Sequence, residues 1–447
     1  MARTTQAVRI EDNRLRPDDR AAHDWYRFVL SFPAHLVRHY VSKFQIAPDS
    51  WVLDPFCGTG TTLVECKKLG IRSIGIEANP IAHFASQVKT DWSPNPSALL
   101  EHARQVAKIA RNRLEAEGLD ETGDLPLFSS LNRTPTAPLR MLPPEPEKLL
   151  LKDSISPVPL HKTLVLLDTI EERKDVRFYA HERLAVAKAL VSGISNLRFG
   201  PEVGLGKVRE DAPVVTLWTE IVRSMTIDLS ALHAGRDVET VVHRADSRHA
   251  LAVLAPQSVA AVITSPPYPN EKDYTRTTRL ESVLLGFLRN KRDLRELKRT
   301  LVRSNTRGVY SDDRDDEYIL GHSEIEEIAD AIEARRVELG KTSGFERLYA
   351  RVTKLYFGGM ARHLRELQAV LRPGAQLAYV VGDQASYLRV HIRTGHLLAD
   401  IAASLGYEVV GTDLFRTRQA TATREELREE VVLLRWPERG ASGVRGQ

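Results

Sequence analysis

The amino-acid sequence predicts an α/β chain built on a doubly wound, mostly parallel sheet, with a large, mainly helical insertion. Three observations carry this. Val52 to Pro80 reads as strand, glycine turn, helix, strand; Val259 to Ile263 is a buried-strand run that enters a proline-rich loop; and from Phe345 onward helical and β-branched stretches alternate. Apolar runs without polar alternation suit strands covered on both faces.

Composition sets the frame. The chain has 447 residues, 42% hydrophobic and 27% charged, with a net charge of +4 and two cysteines, Cys57 and Cys66. That length predicts two to three domains. No apolar run approaches the roughly 18 residues of a membrane span, and Met1 to Pro17 has no apolar signal core, so a cytoplasmic protein is expected. Two cysteines exclude a disulfide framework and a clustered-thiol metal site. Ala2 to Arg20 is polar and expected to be poorly ordered. Trp25 to Phe44 has helical spacing broken at Phe32-Pro33; His35 and His39 lie one turn apart on it without a third ligand, so no metal is expected.

Trp51 to Leu53 is a strand that ends in Asp54 and a Gly-x-Gly turn, Gly58 to Gly60. Thr61 to Leu69 is a helix stopped by Gly70, and Ile71 to Ile76 a second strand ending in Glu77, with Asn79-Pro80 turning behind it. This β-α-β unit brings a ligand against the backbone of Gly58 and Gly60 and sets Glu77 where an acid takes both hydroxyls of a ribose. A dinucleotide fingerprint needs a third glycine where Leu63 stands. A diphosphate would also be repelled by Asp54, whereas the ammonium of an amino acid would be attracted. Adenosine carrying an amino acid, that is S-adenosylmethionine, fits better.

Val259 to Ile263 runs into Thr264-Ser265-Pro266-Pro267-Tyr268-Pro269-Asn270. Two prolines remove two donors and stiffen the loop, leaving carbonyls that only accept. With the Ser265 hydroxyl before them and the Tyr268 ring after, they make a pocket for an exocyclic amine on a flat base.

Together these stretches resemble the DNA amino-methyltransferases, which methylate the exocyclic nitrogen of cytosine or adenine. Asp54-Pro55-Phe56-Cys57-Gly58-Thr59-Gly60 resembles the cofactor motif of that family and Ser265-Pro266-Pro267-Tyr268 its catalytic motif. Phe32-Pro33 is similar to the segment that closes over the cofactor, and Asp246-Ser247 to the acidic turn that reads its adenine. The resemblance implies a Rossmann-like class I methyltransferase fold. The expected cofactor site is Phe32, Pro33, Asp54, Phe56, Gly58, Gly60, Thr61, Glu77, Asn79, Asp246 and Ser247; the expected catalytic residues are Ser265, Pro266, Pro267 and Tyr268.

Residues 1–94 are then the N-terminal helix and cofactor half, 95–240 an insertion, 241–436 the catalytic half and 437–447 a flexible tail. In the insertion, Ser97 to Glu117 reads as a helix, Asp120 to Pro159 as an extended proline-rich connection, and His161 to Leu232 as helical with glycine breaks. Its 19 basic and 21 acidic residues nearly cancel, which suits target recognition or core bracing equally. Glu271 to Tyr310 differs, with 11 Lys and Arg against 5 Asp and Glu. Arg289, Arg292, Arg295, Lys298, Arg299 and Arg303 are expected on the DNA backbone, because this stretch leaves the Ser265–Tyr268 loop directly and phosphate contacts release counterions. Asp312 to Glu317 reads as an acidic surface loop. Phe345 to Leu371 is a helix stopped by Arg372-Pro373-Gly374, Ala375 to Val381 a strand, Thr394 to Leu405 a helix, Tyr407 to Thr412 a strand, and Glu430 to Arg435 a last strand antiparallel to the sheet edge.

The expected reaction is direct in-line methylation of cytosine N4 in flipped-out duplex DNA, with N6 of adenine as the alternative and an RNA amino-methyltransferase as the lesser one. A partner restriction endonuclease is a possible companion. No Pro-Cys pair occurs in the chain, which argues against carbon-5 methylation. In the resembling family, enzymes acting on adenine mostly carry Asp or Asn at position 265 and those acting on cytosine mostly Ser. A hydroxyl there can accept from the amine and also donate to the neighbouring ring nitrogen.

Overall fold

The computed structural model describes residues 16–27, 31–121, 136–199, 202–270, 272–419 and 426–438. Part of the expected N-terminal tail, the centre of the proline-rich connection and the last residues of the chain lie outside them. The described strands are β1 (Trp51–Asp54), β2 (Arg72–Ile76), β3 (Leu197–Arg198), β4 (Gly204–Leu205), β5 (Thr240–His243), β6 (Val259–Thr264), β7 (Leu371–Gly382), β8 (Glu408–Gln419) and β9 (Glu426–Arg435). β3 and β4 form a small antiparallel ribbon; the other seven make one sheet in the order β5-β2-β1-β6-β7-β9-β8. The first five run parallel and β9 alone runs against its neighbours. This is the doubly wound, mostly parallel sheet expected.

Alternate residues of each strand serve opposite faces. Val52, Ala261, Ile263, Ala378 and Val380 pack under the helix Ala34–Lys43. Leu53, Val262, Leu377 and Tyr379 pack under the helices Tyr349–Leu367 and Thr394–Ser404. Because β1 lies between β2 and β6, the carboxyl ends of all three open side by side, where ligands of such sheets bind.

Several expectations are corrected. The last strand is not at the edge: β9 inserts between β7 and β8, leaving β8 outermost. The apolar content explains the choice, since Val431 to Leu434 are buried, as an inner strand requires, while Val409, Val410 and Leu414 of β8 are exposed. Arg372-Pro373-Gly374 lies inside β7 rather than before it, where the β6 register slips between Val259↔Leu371 and Ala261↔Gln376 and Gly374 takes a φ of 80°. Asp312–Glu317 is not a plain surface loop, because Asp315 is buried. Among the described residues before Phe32 there are two short turns, Pro17–Asp19 and His23–Trp25, and the helix runs only from Ala34 to Lys43. The helix Ser323–Glu338 was not foreseen.

Residues 95–240 contribute the helices Pro96–Ala116, Pro157–Glu172, Tyr179–Ala189 and Val214–Leu232. Leu99, Ala103, Val106, Ala110 and Leu114 form the buried stripe of the first. Pro157 starts the second, so the proline-rich connection ends three residues earlier than the sequence suggested. These helices share one apolar core with Val64, Ile81 and Val88 behind the glycine turn and with Leu280 and Leu284 beyond the Ser265–Tyr268 loop. These helices therefore back both the glycine turn and the Ser265–Tyr268 loop with one apolar core. Among the described residues no helix is long and apolar enough to cross a membrane.

Candidate active site

The glycine turn is held by the acid it faces. Gly58 and Gly60 have φ of 52° and 85°, and a side chain at Gly60 would stand 2.9 Å from Ser86 Cβ. Gly58 N donates to Glu77 Oε2 at 2.8 Å and Asn79 N to Glu77 Oε1 at 2.7 Å, so one carboxylate at the end of β2 fixes two turns and keeps a lone pair on each oxygen. Burial pushes the Glu77 carboxyl up to about 7, against the pull of those two bonds. Asn79 caps the helix Pro80–Thr90 and donates to Thr278 Oγ1 at 3.2 Å, tying the turn to the far side of the site. A Cβ at Gly75, inside β2, would come within 2.7 Å of both Cys57 Sγ and Leu63, so this glycine lets the turn lie flat on the strand.

Asp54 is 0% exposed. Its Oδ1 accepts from Thr264 Oγ1 at 2.6 Å and from Phe56 N at 3.1 Å, so the ends of β1 and β6 are joined through it. Its Oδ2 is buried with no hydrogen-bond partner. Burial raises this carboxyl to about 6, opposed first by the bond from Thr264.

One cavity of about 400 Å³ collects most of the expected residues: Phe32, Pro33, Phe56, Gly58, Thr61, Glu77, Asn79 and Ser247 on one side, Ser265, Pro266, Pro267 and Tyr268 on the other. Asp54 stands behind this wall. Asp246 is not on it either; its carboxylate is gripped by Arg248 at 2.7 Å.

Ser265 Oγ lies 3.1 Å from Val380 O, which can only accept, so the hydroxyl donates there, and with the Tyr268 hydroxyl as its other hydrogen-bond neighbour it can still accept from a donor in the cavity. A donation from the same hydroxyl towards a ring nitrogen would have to replace this bond to Val380 O. The Tyr268 ring rests on Gly382 of β7, where an added Cβ would stand 3.3 Å from Tyr268 Cε2 and 3.1 Å from Glu429 Cγ. Burial and the Glu429 charge raise the Tyr268 phenol, which stays protonated at neutral pH. Gly382→Ala is therefore expected to tilt this ring, lowering turnover by up to about 10²-fold, the scale of an ångström-sized misplacement, with cofactor affinity unchanged. Single-turnover rates beside calorimetry check this; a loss of cofactor affinity would contradict it.

Beyond the loop, Asn290 caps the helix Lys291–Thr300. Arg292, Arg295 and Arg299 are exposed along it, and Arg289 just before it. Arg292 pairs with Glu296 at 2.8 Å, Arg289 with Asp293 at 3.1 Å and Arg299 with Asp312 at 2.8 Å. Exposed pairs of this kind are worth about 0–1 kcal/mol, so a phosphate can displace them. Lys298 faces the cavity and pairs with Asp273 at 3.1 Å. Arg303 departs from expectation: it is 4% exposed, forked onto Asp313 at 2.7 and 2.9 Å, and bonded to the Lys298 carbonyl at 2.8 Å. It braces the end of the helix and borders the cavity instead of the exposed face that carries Arg292, Arg295 and Arg299.

Sequence reasoning missed the back of the site. His363 bonds Ser247 O at 3.1 Å and the Tyr379 hydroxyl at 2.7 Å, and its ring meets Phe56 edge-on at 4.8 Å. Burial lowers it to about 4, so it is neutral and orients Phe56 and Ser247 without adding charge. A lone histidine in a helix carries no signal of this. The glycine at 382, ending a strand, was the one legible hint. Among the described residues Glu324, His396 and Asp400 stand close enough to share an ion, but they lie outside the cavity and Arg393 already pairs with Glu324 at 2.9 Å.

Comparison with known proteins gives likenesses of three kinds: to a family model, to relatives and to a solved structure. A family model described as DNA methylase, of the N6/N4 type, matches residues 9–87. The Type II methyltransferase M.BsoBI of Geobacillus stearothermophilus is 26% identical over 441 residues, covering 91% of this chain and 82% of its own length. The Type II methyltransferase M.AvaI of Nostoc sp. is 24% identical over 463 residues, covering 96% of this chain and 89% of its own. Among solved structures, the rRNA methyltransferase aviRa from Streptomyces viridochromogenes aligns with a TM-score of 0.30 and 11% identity over 92% of this chain and 91% of its own.

Proposed function

We propose that this chain, whose resemblance to the DNA amino-methyltransferases those relatives bear out, transfers a methyl group from S-adenosylmethionine to N4 of cytosine in duplex DNA. The observation that carries the reading is the shared cavity, with Gly58, Thr59 and Glu77 on one wall and Ser265–Tyr268 on the other; Gly60, expected beside Gly58, turns away from it against Ser86. The residues fit the cofactor. Gly58 has nothing within 4 Å of the place a Cβ would take, which leaves its backbone open to a ligand, and Glu77 keeps lone pairs for ribose hydroxyls, while Asp54, walled off from the cavity, ties the ends of β1 and β6 behind it. When bound, the cofactor supplies an electrophilic methyl on a sulfonium.

The chain's own task is to make a poor nucleophile attack. The amine lone pair of cytosine is delocalised into the ring, and Ser265 Oγ with the Pro266 carbonyl, each accepting one of its hydrogens, would localise it. Tyr268 offers a face for the base, which has to leave the duplex to reach the cavity. Cytosine is favoured over adenine because Ser stands at 265. With the hydroxyl hydrogen directed to Val380 O, that preference rests on the resemblance alone. We further propose that residues 95–240 act as an inserted unit and that the chain serves a restriction-modification system in the cytoplasm, with a cognate endonuclease as companion; the Type II names of the relatives support the latter.

The exposed Arg289, Arg292, Arg295 and Arg299 are proposed to lie along the DNA backbone, with Lys298 at the cavity rim. Replacing Arg295 and Arg299 by alanine is expected to weaken binding to all sequences alike and to flatten the salt dependence by about two phosphate contacts. An unchanged salt slope would return this helix to a solvated surface. The function itself is tested by offering labelled S-adenosylmethionine with duplex DNA or tRNA: label is expected in the duplex, and label in tRNA alone would favour the RNA reading.

A further inference from the structure

Arg248 holds three segments with one buried guanidinium, only 4% exposed. Its Nε and Nη2 take the two oxygens of Asp246 at 3.0 and 2.7 Å, gripping the turn whose neighbours Ala245 and Ser247 line the cavity. The same Nη2 donates to Arg299 O at 3.0 Å, in the last turn of the helix Lys291–Thr300. Its Nη1 pairs with Asp315 Oδ2.

Asp315 lies outside the cavity wall, yet it is built in firmly. Arg362 takes its other oxygen at 3.2 Å. Behind it, Gly358 lets the Asp315 carbonyl approach the helix Tyr349–Leu367 so closely that a Cβ would stand 1.9 Å from it, and a Cβ at Gly359 would stand 3.3 Å from Asp315 Oδ2. Two adjacent glycines inside a helix cost about 1 kcal/mol each relative to alanine. The close seat of Asp315 accounts for them. The same helix carries His363, which holds Ser247 O. Two cations and two carboxylates, Arg248, Arg362, Asp246 and Asp315, thus balance in a small, mostly buried volume, where removing one charge leaves another uncompensated.

We propose that Asp315 is a positioning residue that, through Arg248, couples the cofactor turn at Asp246–Ser247 to the helix Lys291–Thr300. Resting on the function proposed above, this means that phosphate contacts on the outer face of the helix and cofactor contacts at the turn bias one shared arrangement, so each ligand tightens the other. A plain brace would stabilise the fold and leave the two affinities independent.

The test is calorimetry with S-adenosylhomocysteine, with and without saturating unmethylated duplex DNA of mixed sequence, on wild type, Asp315→Asn and Arg362→Gln, beside thermal unfolding of each. Wild type is expected to bind the probe about fivefold or more tighter with DNA present. Asp315→Asn, which keeps shape and removes charge, is expected to bring that ratio to about one while the DNA-free affinity stays within about twofold. Arg362→Gln, at a partly exposed position, is expected to lower the ratio in the same direction and decides the matter if Asp315→Asn does not fold. A wild-type ratio kept by the variants, with only the melting temperature lowered, overturns the coupling, as does a wild-type ratio of one. Failure of the wild type to bind the probe or DNA at all would instead count against the proposed function.

Discussion

Ser265→Ala is expected to lower methyl transfer by about 10²–10³-fold, the usual effect of removing one preorganised contact to a developing charge, while cofactor affinity stays nearly intact. Ser265 is bonded to Val380 O of β7 and not to the glycine turn, so its loss leaves the Gly58–Glu77–Asn79 bonds untouched. What disappears is an acceptor whose hydrogen is already directed away from the cavity. The Pro266 carbonyl alone cannot hold both amine hydrogens. Single-turnover transfer and calorimetry on the same preparation separate the two effects. Equal losses in rate and in affinity would end the division of roles between the two walls.

Glu77→Ala should act on the other wall. It strips the acceptor from Gly58 N and Asn79 N, two bonds of about 0.5–1.5 kcal/mol each when the carboxyl is protonated and about 1.5–3 kcal/mol when it is ionised. The turn loses what fixes it, so cofactor affinity is expected to fall by at least about 10²-fold, read by calorimetry; retention within tenfold would contradict the assignment. The same group predicts a pH signature in the cofactor-free chain. The folded carboxyl titrates at about 7 against an ordinary value of 4.5. The folded state therefore holds the proton more tightly, and this group's contribution to stability declines as pH rises from about 4.5 to about 7. The stability of wild type minus that of Glu77→Ala should therefore fall as pH rises through that window; a constant difference would show that the shift is absent.

These two walls were legible in the sequence because their chemistry is local. A carboxylate, two glycines and a helix stop within Val52 to Pro80 dictate the β-α-β unit, and two prolines after a buried run dictate the stiff loop. What was not legible depends on partners far away in the chain. The place of β9 between β7 and β8 is a pairing choice made by burial, and nothing near Glu430 announces it. A run of arginines cannot say which of them turns inward; Arg303 does so because Asp313 and the carbonyls at the end of its helix are waiting for it. Asp315 looked like one more acid in a surface loop because its meaning lies in Gly358, Gly359 and Arg248. The serine at 265 marked the acceptor but not the direction of its hydrogen, which is set by β7.

The most direct test of the account is to incubate the protein with methyl-labelled S-adenosylmethionine and unmethylated duplex DNA, digest the product to nucleosides and find where the label sits. The account predicts N4-methylcytosine, made by wild type and not by Ser265→Ala. N6-methyladenine would overturn the base while sparing the two-walled site, and 5-methylcytosine or no labelled nucleoside at all would contradict the amine chemistry on which the account stands.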